Sequence, residues 1–163
     1  MVEALFSRYR QKGILIDTNI LLLLFIGLVN RQRISQFNRT EKFTAEDYDL
    51  LQNILPQFQK IVTTPNILTE VNSLANQLGE PERSQCFLIF SQFVPRLDEN
   101  YIESIIAVTE EKFIKFGLTD CGILNLARDK YLVLTDDFKL ANSLESVSID
   151  VINFNNIRTL GWN

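Results

Sequence analysis

Residues 14–29 read ILIDTNILLLLFIGLV, an apolar run broken only by Asp17, Thr18 and Asn19. So little of this run is polar that it must be buried on nearly every side. It is not a membrane span. The uninterrupted part, Ile20 to Val29, is 10 residues, where a spanning helix needs about 20. Extending it backwards would put Asp17 in lipid, and no small-residue cleavage site follows as a secretory signal would require. The run therefore reads as a short buried strand over 13–16 and a core helix over 18–29. An ionised carboxylate between them costs several kcal/mol unless something compensates it. What compensates Asp17 is the question the rest of the chain must answer.

The remaining segments repeat the same alternation. Residues 30–43 are polar and irregular. Thr44 and Asp47 form a capping-box start for a helix running to about Phe58. KIVTT (60–64) is a second strand, and Pro65 with Thr64 as its cap opens a helix. That helix carries Ile67, Leu68, Val71, Leu74, Ala75 and Leu78 on one stripe and stops at Gly79. Pro81 opens another to about Phe93. A further helix is expected from Glu99 to Phe116, closed by Gly117, and Thr119 caps one over 120–130. YLVLT (131–135) is the third strand, a short helix covers 137–144, and IDVINF (149–154) is the last strand. Strands alternating with helices imply βαβ units and a mainly parallel sheet covered on both faces. Residues 1–163 read as one domain, with a core over 13–155, a leader over 1–12, a polar loop over 30–43 and a helical middle over 81–117. Its 163 residues suffice to bury a core without staples.

In such sheets ligands bind beyond the carboxyl ends of the strands. Acids gather there. Asp17 directly follows the first strand, and Asp136 and Asp137 follow the third. Glu70 lies two turns into the helix after the second strand, about 100° from the centre of its apolar stripe at 100° per residue, bordering the buried face. Asp120 stands where Ile123, Leu124 and Ala127 would demand a hydrophobe. Each acid alone has a purely structural reading. Asp120 suits a first turn through the helix dipole, Asp136 and Asp137 suit a turn or cap, Glu70 suits a surface ion pair, and Asp17 suits a cap. Their convergence on one edge from separate segments asks for more. Clustered carboxylates raise one another's pKa unless a cation is present, and no Lys or Arg is adjacent in sequence to Asp17 or Asp120. The chain has no His, and both Cys86 and Cys121 lie in apolar helical context as reduced, buried thiols of a cytoplasmic protein. With oxygen-only ligands the natural cation is Mg²⁺ or Mn²⁺. One or two such ions in an acidic pocket suit phosphodiester hydrolysis.

Four stretches in order, ILIDTNILL, TPNILTEV, GLTDCGILNLA and VLTDDFKLA, resemble the motif set of PIN-domain ribonucleases, from about Gly13 to Phe154. That resemblance implies a three-layer α/β/α sandwich, PIN-like and Rossmann-like, with a parallel sheet. It implies a Mg²⁺- or Mn²⁺-dependent endoribonuclease acting on single-stranded RNA. Its catalytic, metal-holding acids fall on Asp17, Glu70, Asp120 and Asp137, with Asp136 as a neighbour that assists. Thr135 resembles a hydroxyl lining the site, Asn19 resembles a group orienting Asp17, and Asn155 ends the last strand near the same edge, as does Asn153. Many small members are toxins paired with an antitoxin protein and form homodimers. The leader, the polar loop and the helical middle depart from that compact toxin pattern.

The net charge is −4, against general nucleic-acid binding. Yet residues 1–42 carry seven Lys/Arg and three acids, and Arg31, Arg33, Arg39 and Lys42 crowd one polar stretch. That stretch is either a solvated loop or a contact for RNA backbone or a partner. A degenerate PIN-like module that binds RNA or protein without cutting is the alternative reading, and loss of any of the four acids would have favoured it. A response-regulator receiver would need an acidic pair after the first strand and a lysine after the last. A dehalogenase-type phosphatase would need an Asp at position 19, and no P-loop is present.

Overall fold

The computed structural model describes residues 1–159. The single-domain expectation runs on over residues 160–163, which lie outside the described residues. Five strands form one sheet: β1 (Ile14–Ile16), β2 (Ile61–Thr63), β3 (Asp98–Glu99), β4 (Leu132–Thr135) and β5 (Val151–Asn153). They lie in the order β3-β2-β1-β4-β5, every neighbouring pair parallel. The helices are α1 (Val2–Tyr9), α2 (Thr18–Val29), α3 (Ala45–Ile54), α4 (Pro65–Ala75), α5 (Glu82–Phe93), α6 (Ser104–Ala107), α7 (Phe113–Ala127), α8 (Phe138–Ser146) and α9 (Phe154–Thr159). The architecture is a three-layer α/β/α sandwich on an all-parallel sheet, as the alternation of elements required.

The apolar run dictates the centre. β1 is the middle strand, and Ile14, Leu15 and Ile16 are fully enclosed between β2 and β4. In α2 every residue from Ile20 to Gly27 is buried, and the helix packs on α3, α4 and α5. Phe25 meets Phe90 and Phe93 of α5 edge-on at centroid distances of 5.4 and 5.5 Å, a favoured geometry for aromatic pairs. Gly27 lets α3 approach closely: a Cβ there would stand 2.1 Å from the Tyr48 ring. Among the described residues no helix is long and apolar enough to cross a membrane.

Where a cap or a proline marks a helix start, the structure follows the local signal. Thr44 and Asp47 form the complete capping box of α3, and Thr64 caps α4 with Pro65 at its first position. Other expectations fail. The leader is not loose chain: residues 2–9 form α1, which docks Phe6 and Tyr9 into the core, Phe6 lying edge-on to Phe58 at 5.2 Å. The helix expected over 99–116 is instead the edge strand β3, the one-turn α6 and the start of α7. Gly117, with a non-helical φ of 80° and ψ of −172°, closes the first segment of α7 at Phe116 as its sequence position suggested, and a second helical segment follows across the kink. α4 stops at Ala75, with Leu78 buried in the turn that follows, and Phe154 opens α9 where the last strand was expected to continue.

The chain leaves β1 towards β2 and β3 on one side, and β4 and β5 fill the other. The order reverses between β1 and β4, so a crevice must open at their carboxyl ends. Asp17, Asp136 and Asp137 are the residues that emerge there.

Candidate active site

Asp17 sits where β1 becomes α2. Its backbone N–H donates to Leu134 O at 3.0 Å, extending the β1–β4 ladder one residue further. As the N-cap of α2, its Oδ1 accepts the Thr18 N–H at 2.7 Å, and its Oδ2 accepts the Thr135 hydroxyl at 2.6 Å. Thr135 Oγ1 in turn accepts the Asp137 N–H at 3.0 Å. One buried threonine thus fixes Asp17 against the loop after β4. Asp137 caps α8, its Oδ1 accepting the Lys139 and Leu140 N–H groups at 2.9 and 3.0 Å. The capping and the site readings of Asp17 and Asp137 therefore coexist.

Glu70 and Asp120 arrive from α4 and α7. The Glu70 carboxylate accepts the Thr18 hydroxyl on Oε2 and the Thr119 hydroxyl on Oε1, both at 2.7 Å. It joins three helices at one point. Two expectations are corrected here. Glu70 is exposed, standing at the rim of the crevice and not at the border of the buried face. Thr119 does not cap the helical segment that follows the Gly117 kink with its side chain, because its hydroxyl is spent on Glu70.

Asp17, Glu70, Asp120 and Asp137 all line a single cavity of about 750 Å³, together with Asn19. Among the described residues no Lys or Arg lines it. Burial pushes the Asp17 carboxyl up to about 6; repulsion from Asp136 and Asp137 adds to this, while the bonds from Thr135 and Thr18 oppose it. Burial likewise pushes Asp120 up to about 7, helped by repulsion from Asp17, Asp137 and Glu70. Asp17 and Asp120 both feel neighbouring carboxylates, and among the described residues no cation lines the cavity to offset them.

That donor set is oxygen only, which suits Mg²⁺ or Mn²⁺. Among the described residues no three acids are gathered closely enough to hold a metal ion between them. Mg²⁺ does not need three, since it keeps several waters and takes one or two carboxylates directly. The residues present fit a hydrated divalent ion.

Asp136 stays out of the cavity lining. Its buried carboxylate pairs with Lys42 Nζ on Oδ2 and takes a long 3.4 Å bond from the Asn19 amide. Its Oδ1 is buried without a hydrogen-bond partner. Asn155 donates to the Asp136 carbonyl at 2.8 Å, and Asn153 accepts the Asn155 N–H at 3.0 Å. Asn19 and Asn155 therefore hold the loop after β4. Lys42 is the cation that reaches in from a distance, to Asp136 and not to Asp17 or Asp120.

The other basic residues of the polar stretch face elsewhere. Arg31 forms a forked pair with Asp49 at 3.0 and 2.5 Å, Arg33 lies 3.2 Å from Glu82, and Arg39 donates to Gln77 at 2.8 Å. The stretch is also less irregular than its polarity suggests: Ile34, Phe37, Thr40 and Phe43 are buried, and Arg158 braces it from α9 through Asp47 and the Lys42 carbonyl. Thr18, Thr119, Asn66 and Phe116 belong to the site's surroundings, and the sequence does not mark them as site residues. Thr18 and Thr119 carry a usable signal, each being adjacent to a site aspartate. No family model matches this chain and no curated protein matches it, so the site is read from its own residues.

Proposed function

We propose that this chain is a Mg²⁺- or Mn²⁺-dependent endoribonuclease that hydrolyses phosphodiester bonds of single-stranded RNA. One observation carries the reading: four carboxylates from separate segments line one crevice at the switch point of a parallel sheet, with no protein cation among the described residues that line it. The ordered likeness to PIN-domain ribonuclease motifs points the same way.

Asp17, Asp120 and Asp137 would hold the ion, one or two of them directly and the rest through its waters, and Glu70 would complete its surroundings directly or through water. When bound, a divalent ion lowers the pKa of a water and offsets the charge that grows on phosphate oxygens. The residues themselves supply position. Thr135 fixes Asp17, while Thr18 and Thr119 aim Glu70, so that the carboxylates are set before substrate arrives. A water oriented by Glu70 attacks phosphorus in line and gives Glu70 its proton. The bond to the leaving oxygen breaks, and that oxygen takes a proton from solvent. Asp136, paired with Lys42 and turned from the crevice, supports the loop.

The coarser reading, a PIN-like module that binds RNA or protein without cutting, uses the same surface. A toxin with a cognate antitoxin, a homodimer and a cytoplasmic home belong to the proposal as well, the last supported by the free thiols of Cys86 and Cys121. The deciding experiment compares wild type, Asp17→Asn and Asp120→Asn on a mixed single-stranded RNA pool with Mg²⁺, Mn²⁺ or chelator. Cleavage is expected from wild type with metal alone. Equal cleavage by all three proteins removes the site, and RNA binding without cleavage under any ion favours the module. Growth arrest on expression, relieved by both substitutions, would mark the toxin subtype.

A further inference from the structure

The crevice is far larger than a hydrated ion requires. Its volume, about 750 Å³, falls in the range of roughly 300–1,000 Å³ typical of sites for small organic ligands. The acids account for only part of its lining. Between α4 and α7 the wall is uncharged: Phe116 and Leu118 on either side of the Gly117 bend, with Leu74, Asn66 and Ser73 from α4. A cavity with four carboxylates and no cation cannot draw a polyanion by its own charge. Apart from a bound metal, its hold on substrate must come from this neutral wall.

The wall has the parts a nucleobase needs. Phe116 is half-buried and offers a ring for stacking, the commonest way proteins grip unpaired bases. Asn66 is half-buried and its amide makes no hydrogen bond among the described residues. An amide presents a donor and an acceptor together, the pattern that reads a base edge. Gly117 adds no side chain to obstruct the opening, and a Cβ there would meet nothing within 4 Å. Lys115 Nζ lies 5.2 Å from the Phe116 ring centroid and has no acidic partner among the described residues.

We propose that Phe116, Leu118 and Asn66 form a subsite for one unpaired nucleobase, beside the acids, which selects single-stranded substrate and sets the position of the cut. This rests on the nuclease reading of the acids, but it can fail separately. A base held in a duplex cannot enter the wall between α4 and α7, so discrimination against paired RNA follows from the same geometry.

The test uses the full chain carrying Asp120→Asn, to prevent cutting, and measures anisotropy of short labelled oligonucleotides of each base and of a duplex. Adding Phe116→Leu, which keeps apolar bulk without the ring, or Asn66→Ala should weaken single-strand binding roughly ten-fold, as loss of one stacked base does. The rise of the melting temperature with Mg²⁺, measured in the same substitutions on the wild-type background, should not change. Single-strand binding and kcat/KM left at wild-type values by both substitutions would overturn the subsite while leaving an Asp120-dependent nuclease standing. Conversely, a wild type that cuts no RNA with any ion, yet loses oligonucleotide binding with Phe116→Leu, would overturn the nuclease reading and keep the subsite.

Discussion

Asp136 shows how a single side chain can be central to a site without facing it. Lys42 reaches its carboxylate across 94 positions of sequence, and the carboxylate is buried while the ammonium is half-exposed. Removing the cation leaves a buried charge unpaired, which costs more than the pair contributes. Lys42→Met should lower stability by about 1–3 kcal/mol, and adding Asp136→Asn should restore most of it, read from urea midpoints. An undiminished loss from Lys42→Met when Asp136→Asn is already present would mean that Lys42 acts through packing. Thr135 is a second case. Its hydroxyl bond lowers the pKa of Asp17 against the effect of burial, so Thr135→Val must let that pKa climb further. If cleavage needs ionised Asp17, the acid limb of the rate–pH profile moves to higher pH, and Thr135→Ser returns it. A profile that does not move would separate Thr135 from the chemistry.

Elements differ in how plainly the chain announces them. β1, α2, α3 and α4 are legible because each has a strong local cause: a continuous apolar run, a capping box, or a proline at the first helical position. The acids are legible for the same reason, since strand ends place Asp17 and Asp137 at the crevice whatever the tertiary detail. β3 is not, because two residues, both acidic, carry no period and take shape only by pairing with β2. α1 depends likewise on docking Phe6 and Tyr9. The reach of Lys42 depends on Ile34, Phe37 and Phe43 burying an outwardly polar segment. Gly117 reads as a stop signal in the sequence, and in the structure it is the non-helical kink that separates the two segments of α7. Its backbone lies in a region open essentially to Gly alone, where another residue costs about 1–3 kcal/mol. Gly117→Ala should therefore lose about that much stability even though its methyl meets no atom. It should also disturb the placement of Phe116 and Asp120 on either side, giving a lower kcat/KM alongside a lower melting temperature. A substitution that leaves both unchanged would show that the bend is not needed.

At the scale of the whole molecule, the acids make fold and site oppose each other. Asp17 and Asp120 titrate near 6 and 7 in the folded chain against 3.8 for a free aspartate. Between those values the folded state binds more protons than the unfolded one, so stability falls as pH rises from about 4 to about 7 and then levels. For Asp17, about two units at about 1.4 kcal/mol each is on the order of 3 kcal/mol. The surface pair of Arg31 and Asp49 works in the other direction: Arg31 holds Asp49 below the ordinary carboxylate range, so its support for the fold is lost only in acid. A divalent ion that binds the folded site should return what the acids remove, by mass action on the native state. Excess Mg²⁺ is then expected to raise the melting temperature at about pH 8 and to do little at about pH 5, where Asp17 and Asp120 hold protons. Asp120→Asn separates the two effects. Without its charge the metal-free protein should be more stable than wild type at about pH 8, while its response to Mg²⁺ should largely disappear. Equal Mg²⁺ responses at both pH values, or an Asp120→Asn variant that is less stable yet still responds, would mean that the ion binds elsewhere and that these carboxylates are held for the fold alone.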